Sequence, residues 1–337
     1  MRRGDLDLAI ARMAFLKAGE RARLAMALDR TDDLSVLSIP DIERLTGRPF
    51  GGASWNPAAL LAAAGRDRAE AEKRGISFVS YVSDRYPPLL RELVDPPTVL
   101  FYRGSLPDPE QPLAGVVGTR APSSEGARQA YAFGRGFGRS GVAAISGLAL
   151  GVDALVHRGN LEAGAPTVAV LGSGADAVYP ASNRPLARRI LESGGALVSE
   201  YPPGTPPLKH HFPARNRIIA GLSRALVVVE APVRSGALIS AEFALDQGRD
   251  LWVSAACLDS PVSGGCRNLA RDGARVARNA FDVVADWGHA VPDADSLSGR
   301  GADPALPYGL RVAKALEFEL EFDTGSPQRE PAAVGVQ

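Results

Sequence analysis

Little in this chain suits the commonest kinds of site chemistry. Two cysteines in 337 residues, Cys257 and Cys266, make no disulfide framework, and their spacing matches no common zinc pattern. There are only four histidines, at positions 157, 210, 211 and 289. No apolar run approaches the roughly 18 residues that a bilayer requires. The basic start, Met1-Arg2-Arg3-Gly4, leads into charged sequence instead of an apolar leader. These absences predict a cytoplasmic protein with no membrane partner. Charge of either sign is not in excess either, with 38 Lys and Arg against 38 Asp and Glu. Nothing global therefore draws nucleic acid, although a local basic face is not excluded. The string GxxxxGK[ST] is missing, which rules out P-loop ATP chemistry. No Gly-x-Ser-x-Gly elbow follows an apolar run, which rules out an α/β-hydrolase nucleophile.

What the chain does have is a rhythm between Gly115 and Ala256. Short apolar runs stop repeatedly at glycine, serine or a charged residue: Gly115–Val117 at Gly118-Thr119-Arg120, Val142–Ile145 at Ser146-Gly147, and Thr167–Leu171 at Gly172-Ser173-Gly174. Ala196–Val198 stops at Ser199-Glu200, Ala225–Val229 at Glu230, and Leu251–Val253 at Ser254. Spacers long enough for helices separate them, such as Ser124–Arg139 and Ser240–Gln247. Buried strands alternating with helices predict an α/β fold, a doubly wound and mostly parallel sheet. Ligands of such sheets bind beyond the carboxyl ends of the strands, where these small and polar residues fall.

Around this core the reading gives three parts. Residues 1–72 carry loose helical periodicity (Leu6, Ile10, Met13; Leu24, Leu28), with a further helix start at Ile39-Pro40-Asp41. They predict a small all-helical domain of sterile-alpha-motif or helix-hairpin-helix type. Residues 73–287 form the α/β domain, entered through a short strand at Ile76–Val79 and a proline-rich, extended stretch around Tyr86-Pro87-Pro88 and Asp95-Pro96-Pro97. Residues 288–337 read as linker plus one amphipathic stretch, Leu310–Phe322.

Two glycine strings invite a dinucleotide reading, and neither sustains it. Gly136-Phe137-Gly138-Arg139-Ser140-Gly141 precedes a strand, so helix termination explains it better than a cofactor loop. Gly172-Ser173-Gly174 does follow a strand, but Tyr179-Pro180 stands where the phosphate-binding helix would begin. No cofactor and no metal are expected.

The catalytic inventory is thin. His157, in a predicted helix Val152–Leu161, is expected to hydrogen-bond locally, and Glu200 and Glu230 to accept from helix amides. The binding inventory is fuller. Gly118-Thr119-Arg120, Ser146-Gly147 and Ser235-Gly236 each join a strand to a helix, and helix N-terminal amides bind phosphate. From Lys209 to Arg224 no acidic residue occurs, and the segment includes Phe212, Arg215, Asn216 and Arg217. Arg120, Arg184, Arg215 and Arg217 are expected to line one groove, with Phe212 or Tyr179 stacking bases: the combination used to bind single strands. The competing expectation pairs Arg215 and Arg217 with Glu200 and Glu230 inside the domain.

Taken in order, Tyr86-Pro87-Pro88-Leu89, Val117–Arg120, Ser146–His157, Tyr179-Pro180, Ser199–Gly204, Phe212–Ser223 and Ser235–Ala241 resemble the DprA/Smf family of bacterial natural transformation. The resemblance covers roughly residues 75–280. It implies a Rossmann-like core that binds single-stranded DNA, protects it, forms a homodimer and loads the RecA recombinase, with single-strand DNA-binding protein as a further candidate partner. It singles out Arg120 as the DNA-contacting cation and places Arg215-Asn216-Arg217 beside the same groove. Where some members have lysine after Tyr-Pro, this chain has Ala181, and Arg184 is expected to substitute. The C-terminal winged-helix-like domain of many members is expected to be reduced or absent. The core also resembles the LOG nucleoside-monophosphate phosphoribohydrolases, but Arg234–Glu242 keeps only part of their Pro-Gly-Gly-x-Gly-Thr-x-x-Glu loop. The reading is therefore of a non-enzymatic DNA mediator.

Overall fold

A computed structural model describes residues 3–50 and 55–288. The expectations for the C-terminal linker and amphipathic stretch lie outside these residues. The first five elements are helices: α1 Arg3–Ala11, α2 Ala18–Ala27, α3 Thr31–Val36, α4 Ile39–Thr46 and α5 Pro57–Lys73. Helix α4 begins where Ile39-Pro40-Asp41 predicts, capped by Ser38 Oγ, which accepts from the Asp41 amide. Strands β1 (Ser77–Ser80) and β2 (Val99–Gly104) follow, with the one-turn α6 (Pro88–Arg91) between them. The proline-rich connection is thus not wholly extended. Pro88 opens a helical turn at the one helical position where a missing N–H is harmless.

The alternating region then builds β3 (Leu113–Val117), α7 (Ser124–Arg139), β4 (Ala143–Ser146), α8 (Val152–Glu162), β5 (Val168–Val170), α9 (Arg184–Glu192) and β6 (Ala196–Ser199). Next come α10 (His211–Leu222), β7 (Ala225–Val228), α11 (Gly236–Asp246), β8 (Asp250–Ser254), α12 (Gly264–Arg271), β9 (Arg275–Ala277) and α13 (Ala280–Ala285). Two departures from expectation matter. Helix α11 begins at Gly236 instead of Ser240, because the Ser235 hydroxyl caps the Ala237 amide. The basic Lys209–Arg224 segment, for which the sequence analysis gives no secondary structure, is largely helix α10.

The nine strands form one sheet in the order β1-β2-β6-β5-β4-β3-β7-β8-β9. All pairings from β6 to β9 are parallel, and the β1 and β2 pairings are antiparallel. The chain winds outward from β3 to β6, crosses back through α10, and continues from β7 to β9. The switch in direction lies between β3 and β7. One face packs Ile145, Val170, Val198, Leu226 and Val253 against α10 and α11 through Ile218, Ile219 and Ala241. The other packs Ala169, Leu171 and Leu197 against α8 and α9 through Leu161, Leu186 and Ile190. Both faces are covered, so the strands are apolar throughout, as the doubly wound expectation requires. Helices α1–α5 share a separate core with Val99 and Phe101 of β2 and with Ala175 in the loop after β5.

The glycine string at the end of α7 serves packing. A Cβ on Gly134 would stand 2.1 Å from the Val156 carbonyl oxygen, and one on Gly159 would stand 2.2 Å from that of Tyr131. Helices α7 and α8 therefore touch backbone to backbone. Gly136 faces Ala280 of α13, Gly138 faces Ala163, and Gly141 turns the chain at φ +70°. None of them borders a ligand crevice. Gly159→Ala is expected to lower the unfolding free energy by about 1–3 kcal/mol through overpacking. Gly65→Ala, in α5 with nothing within 4 Å, is expected to raise it by about 0.5–1 kcal/mol. Urea unfolding of the two variants checks both, and equal shifts would contradict the close α7–α8 approach.

Candidate nucleic-acid interface

The carboxyl edge of the sheet is organised by the loop from Ser146 to Gly151. Asp153, in the first turn of α8, accepts hydrogen bonds from the amides of Gly147 (3.1 Å) and Ala149 (3.3 Å). From the opposite side, Asn183 Nδ2 donates to the carbonyls of Leu148 (2.9 Å) and Ala149 (3.2 Å). Held by both, Leu148 adopts φ +54° while fully buried, a conformation that costs a branched residue energy and needs such a clamp. The Ser146 hydroxyl is also buried and donates to the Val116 carbonyl at 2.7 Å.

Arg215 projects from α10 beneath this loop. Its side chain is 5% exposed, and Nη1 donates to the Val170 carbonyl at 3.1 Å. A Cβ at position 147 would lie 1.5 Å from that nitrogen, so a side chain there would displace the guanidinium. Burial pulls the Arg215 guanidinium below its ordinary pKa, Asp153 opposes this, and Arg120 adds to it. Burial likewise raises the Asp153 carboxyl, against the pull of Arg215 and the two loop amides. Arg215 and Asp153 thus lie buried under the loop within electrostatic reach of each other.

Above them opens a groove lined by Arg120, Gly147, Ala149, Leu150, Tyr179, Pro180, Phe212 and Arg215. Arg120 is exposed and its side chain pairs with none of the described residues. The Tyr179 ring is 48% exposed and lies 5.5 Å from the ring of Phe212, tilted by 48°. Behind Phe212, His211 stacks on Tyr201 at 3.8 Å, and its Nδ1 donates to the Gly172 carbonyl. The groove thus offers one free cation, a second cation beneath its floor, and an accessible aromatic face.

Other expected residues go elsewhere. Arg217 does not line the groove. It is 7% exposed, with Nε on Asp95 (2.8 Å) and Nη2 on Glu200 (2.7 Å). Burial would lower its pKa, but Glu200 and Asp95 outweigh that and leave it raised. Two positions along a helix turn the chain by about 200°, so Arg215 and Arg217 must point to different sides of α10. Asn216 donates to the Gly236 carbonyl at 3.3 Å and joins α10 to α11. Neither it nor Ser235 and Gly236 border the groove. Gly118 makes room for the Val152 side chain, and Thr119 is tied through its amide to the Glu230 carbonyl at 2.8 Å. Lys209 is exposed just before α10, and Arg184 is exposed at the first position of α9.

The expectation of a track of open helix N-termini is corrected as well. Protein groups fill these termini. The buried Glu230 accepts from the Ser123 amide and hydroxyl (both 2.7 Å) and from the Ser260 hydroxyl (2.6 Å), at the switch point between β3 and β7. Asp153 occupies the amides before α8, and Ser235 caps α11. The predicted structural role of Glu230 thus holds, at the cost of the phosphate role assigned to the same edge. Sequence reasoning missed Asp153 and Asn183 as clamps. An acid in a helix's first turn is a legible signal, but the distant loop each one grips is not. Among the described residues no group of three or more potential ligands stands close enough to hold a metal. Glu242, the residue in the LOG-type position, is exposed on α11 and outside the groove.

A family model described as DNA recombination-mediator protein A matches residues 77–288. The chain belongs to this family. It is 40% identical over 223 residues to the DNA processing protein DprA of Streptococcus pneumoniae, covering 66% of this chain and 78% of that protein. To protein Smf of Synechocystis it is 41% identical over 227 residues, 66% of this chain and 56% of that one. The solved structure of Streptococcus pneumoniae DprA aligns over 85% of this chain and 98% of its own, with a TM-score of 0.68 and 33% identity. A Helicobacter pylori DprA structure concerned with a single-stranded DNA binding mode aligns over 63% of this chain and 95% of its own, with a TM-score of 0.57 and 27% identity. The family match begins at β1, so it covers the sheet and leaves α1–α5 outside.

His157 gives this buried layer a pH signature. Thr167 Oγ1 donates to the Ala144 carbonyl, so it accepts from His157 Nδ1–H at 2.8 Å, and Nε2 is left buried without a partner. Burial, helped by Arg215, pulls the imidazole from 6.5 down to about 3. Neutral when folded and protonatable when unfolded, His157 contributes its full share of stability above about pH 6.5. That share is lost as the pH falls toward 3. Relative to His157→Gln, the native chain is expected to lose about 1.4 kcal/mol of unfolding free energy per pH unit between pH 6 and 4. Parallel pH profiles in urea unfolding would contradict the buried neutral imidazole.

Proposed function

We propose that the groove binds single-stranded DNA and that this protein is a non-enzymatic mediator handling single strands during DNA uptake and recombination. The observation that carries the reading is the groove itself: an unpaired Arg120 facing an exposed Tyr179–Phe212 pair, with the buried Arg215 below. Cation and aromatic ring together serve a flexible strand, whose phosphates and unstacked bases are both accessible. The single-stranded DNA binding mode described for the Helicobacter pylori relative supports the same reading. Passing the bound strand to the RecA recombinase, acting as a homodimer and working in the cytoplasm are what the family resemblance adds to it. The wider groove-lining role first expected for Arg217, Asn216, Ser235 and Gly236 is not part of the proposal.

The two contacts have separable signatures. Arg120→Gln is expected to weaken oligothymidylate binding and to reduce the slope of log affinity against log salt by about 0.7, as loss of one phosphate contact does on a single strand. Tyr179→Ala is expected to cost about 1–3 kcal/mol of affinity, the range for one stacked base, with the salt slope unchanged. Fluorescence anisotropy across a salt series measures both. Wild-type affinity in both variants would remove the groove from the account.

A further inference from the structure

The outward face of α9 carries cations that the groove does not use. Leu186, Ala187 and Ile190 bury one side of the helix, which leaves Arg184, Arg188 and Arg189 exposed on the other. Some exposed arginines elsewhere are tied to carboxylates, as Arg12 is to Asp67, Arg128 to Glu125 and Arg278 to Asp282, and others, such as Arg66, Arg139 and Arg234, are not. The three α9 side chains make no hydrogen bond or ion pair with any described residue. Arg189, in the last turn, suits the helix dipole, but Arg184 does not. A helix N-terminus is positive and favours acids, yet Arg184 occupies its first position, and the single acid, Glu192, stands last.

The position of α9 suggests an anionic partner. Tyr179 and Pro180 line the groove, the turn Ala181–Asn183 follows at once, and Asn183 is fastened to the loop that forms the groove's floor. Helix α9 therefore starts at the rim. Arg188 lies on the same stripe as Arg184, four residues or about 6 Å further along. We propose that this face is a second phosphate-binding segment, along which single-stranded DNA continues after leaving the groove past Tyr179. The proposal rests on the groove reading above and extends it from one pocket to a path.

A length series separates the two. Oligothymidylates of about four nucleotides fill the groove alone, whereas those of about sixteen also reach the helix. Arg188→Gln/Arg189→Gln is expected to bind the short oligomer as the native chain does. It should bind the long one on the order of ten-fold more weakly at 0.1 M salt, with a salt slope smaller by about 1.4. Native affinity and slope for the long oligomer would overturn the proposal, and so would an equal loss at both lengths. If Arg120→Gln changed neither length while the α9 variant weakened both, the groove reading would fail instead.

Discussion

The carboxyl edge depends on a guanidinium buried where a side chain would normally be. Arg215 lies against the Cα of Gly147, and from that contact the rest of the edge follows. An isolated buried charge is costly, so Asp153 must stand near it and Val170 must turn a carbonyl to it. Glycine at position 147 leaves room for the guanidinium, and the loop holds Leu148 in a left-handed conformation supported by the Asp153 and Asn183 clamps. The result is a rigid floor with positive charge beneath it, over which Arg120 and Tyr179 are free to meet a ligand.

The same edge shows how a nucleotide-type sheet can lose its nucleotide site. In a doubly wound sheet the crevice at the switch point normally receives a phosphate on helix amides. Here Glu230 fills that crevice with a carboxylate of the protein's own, and Asp153 does the same one strand away. With the amides committed, the proposed function assigns recognition to side chains at the rim. Side chains can be spaced along a path, whereas helix termini define separate pockets. On the proposed function, such a rim suits a linear polyanion better than a single nucleotide.

Much of the fold was legible in the sequence because buried parallel strands are apolar on both faces and end in small residues. Six of the seven parallel strands and the helix α7 were readable on that basis, whereas the edge strand β9, exposed at Arg275 and Val276, was not. The site was only partly legible. A basic stretch from Lys209 to Arg224 reads as one surface when written linearly, but α10 sends Arg215 under the groove and Arg217 to Glu200 and Asp95. The competing expectation of an internal pair proved right for Arg217 with Glu200. Capping serines and glycine loops were legible as helix starts. Which group would occupy their amides was not, since Glu230 reaches Ser123 across 107 positions of sequence. The helices α1–α5 were legible as helices, but their shared core with β2 depends on tertiary contacts that no local pattern encodes.

The central claim is that this edge holds a strand and not a nucleotide. Isothermal titration of thymidine monophosphate against oligothymidylates of increasing length at one salt concentration tests it most directly. The account predicts no saturable binding of the mononucleotide, and affinity that climbs with each added nucleotide until the path is filled. Saturable mononucleotide binding that matches the affinity of the long oligomers would contradict it.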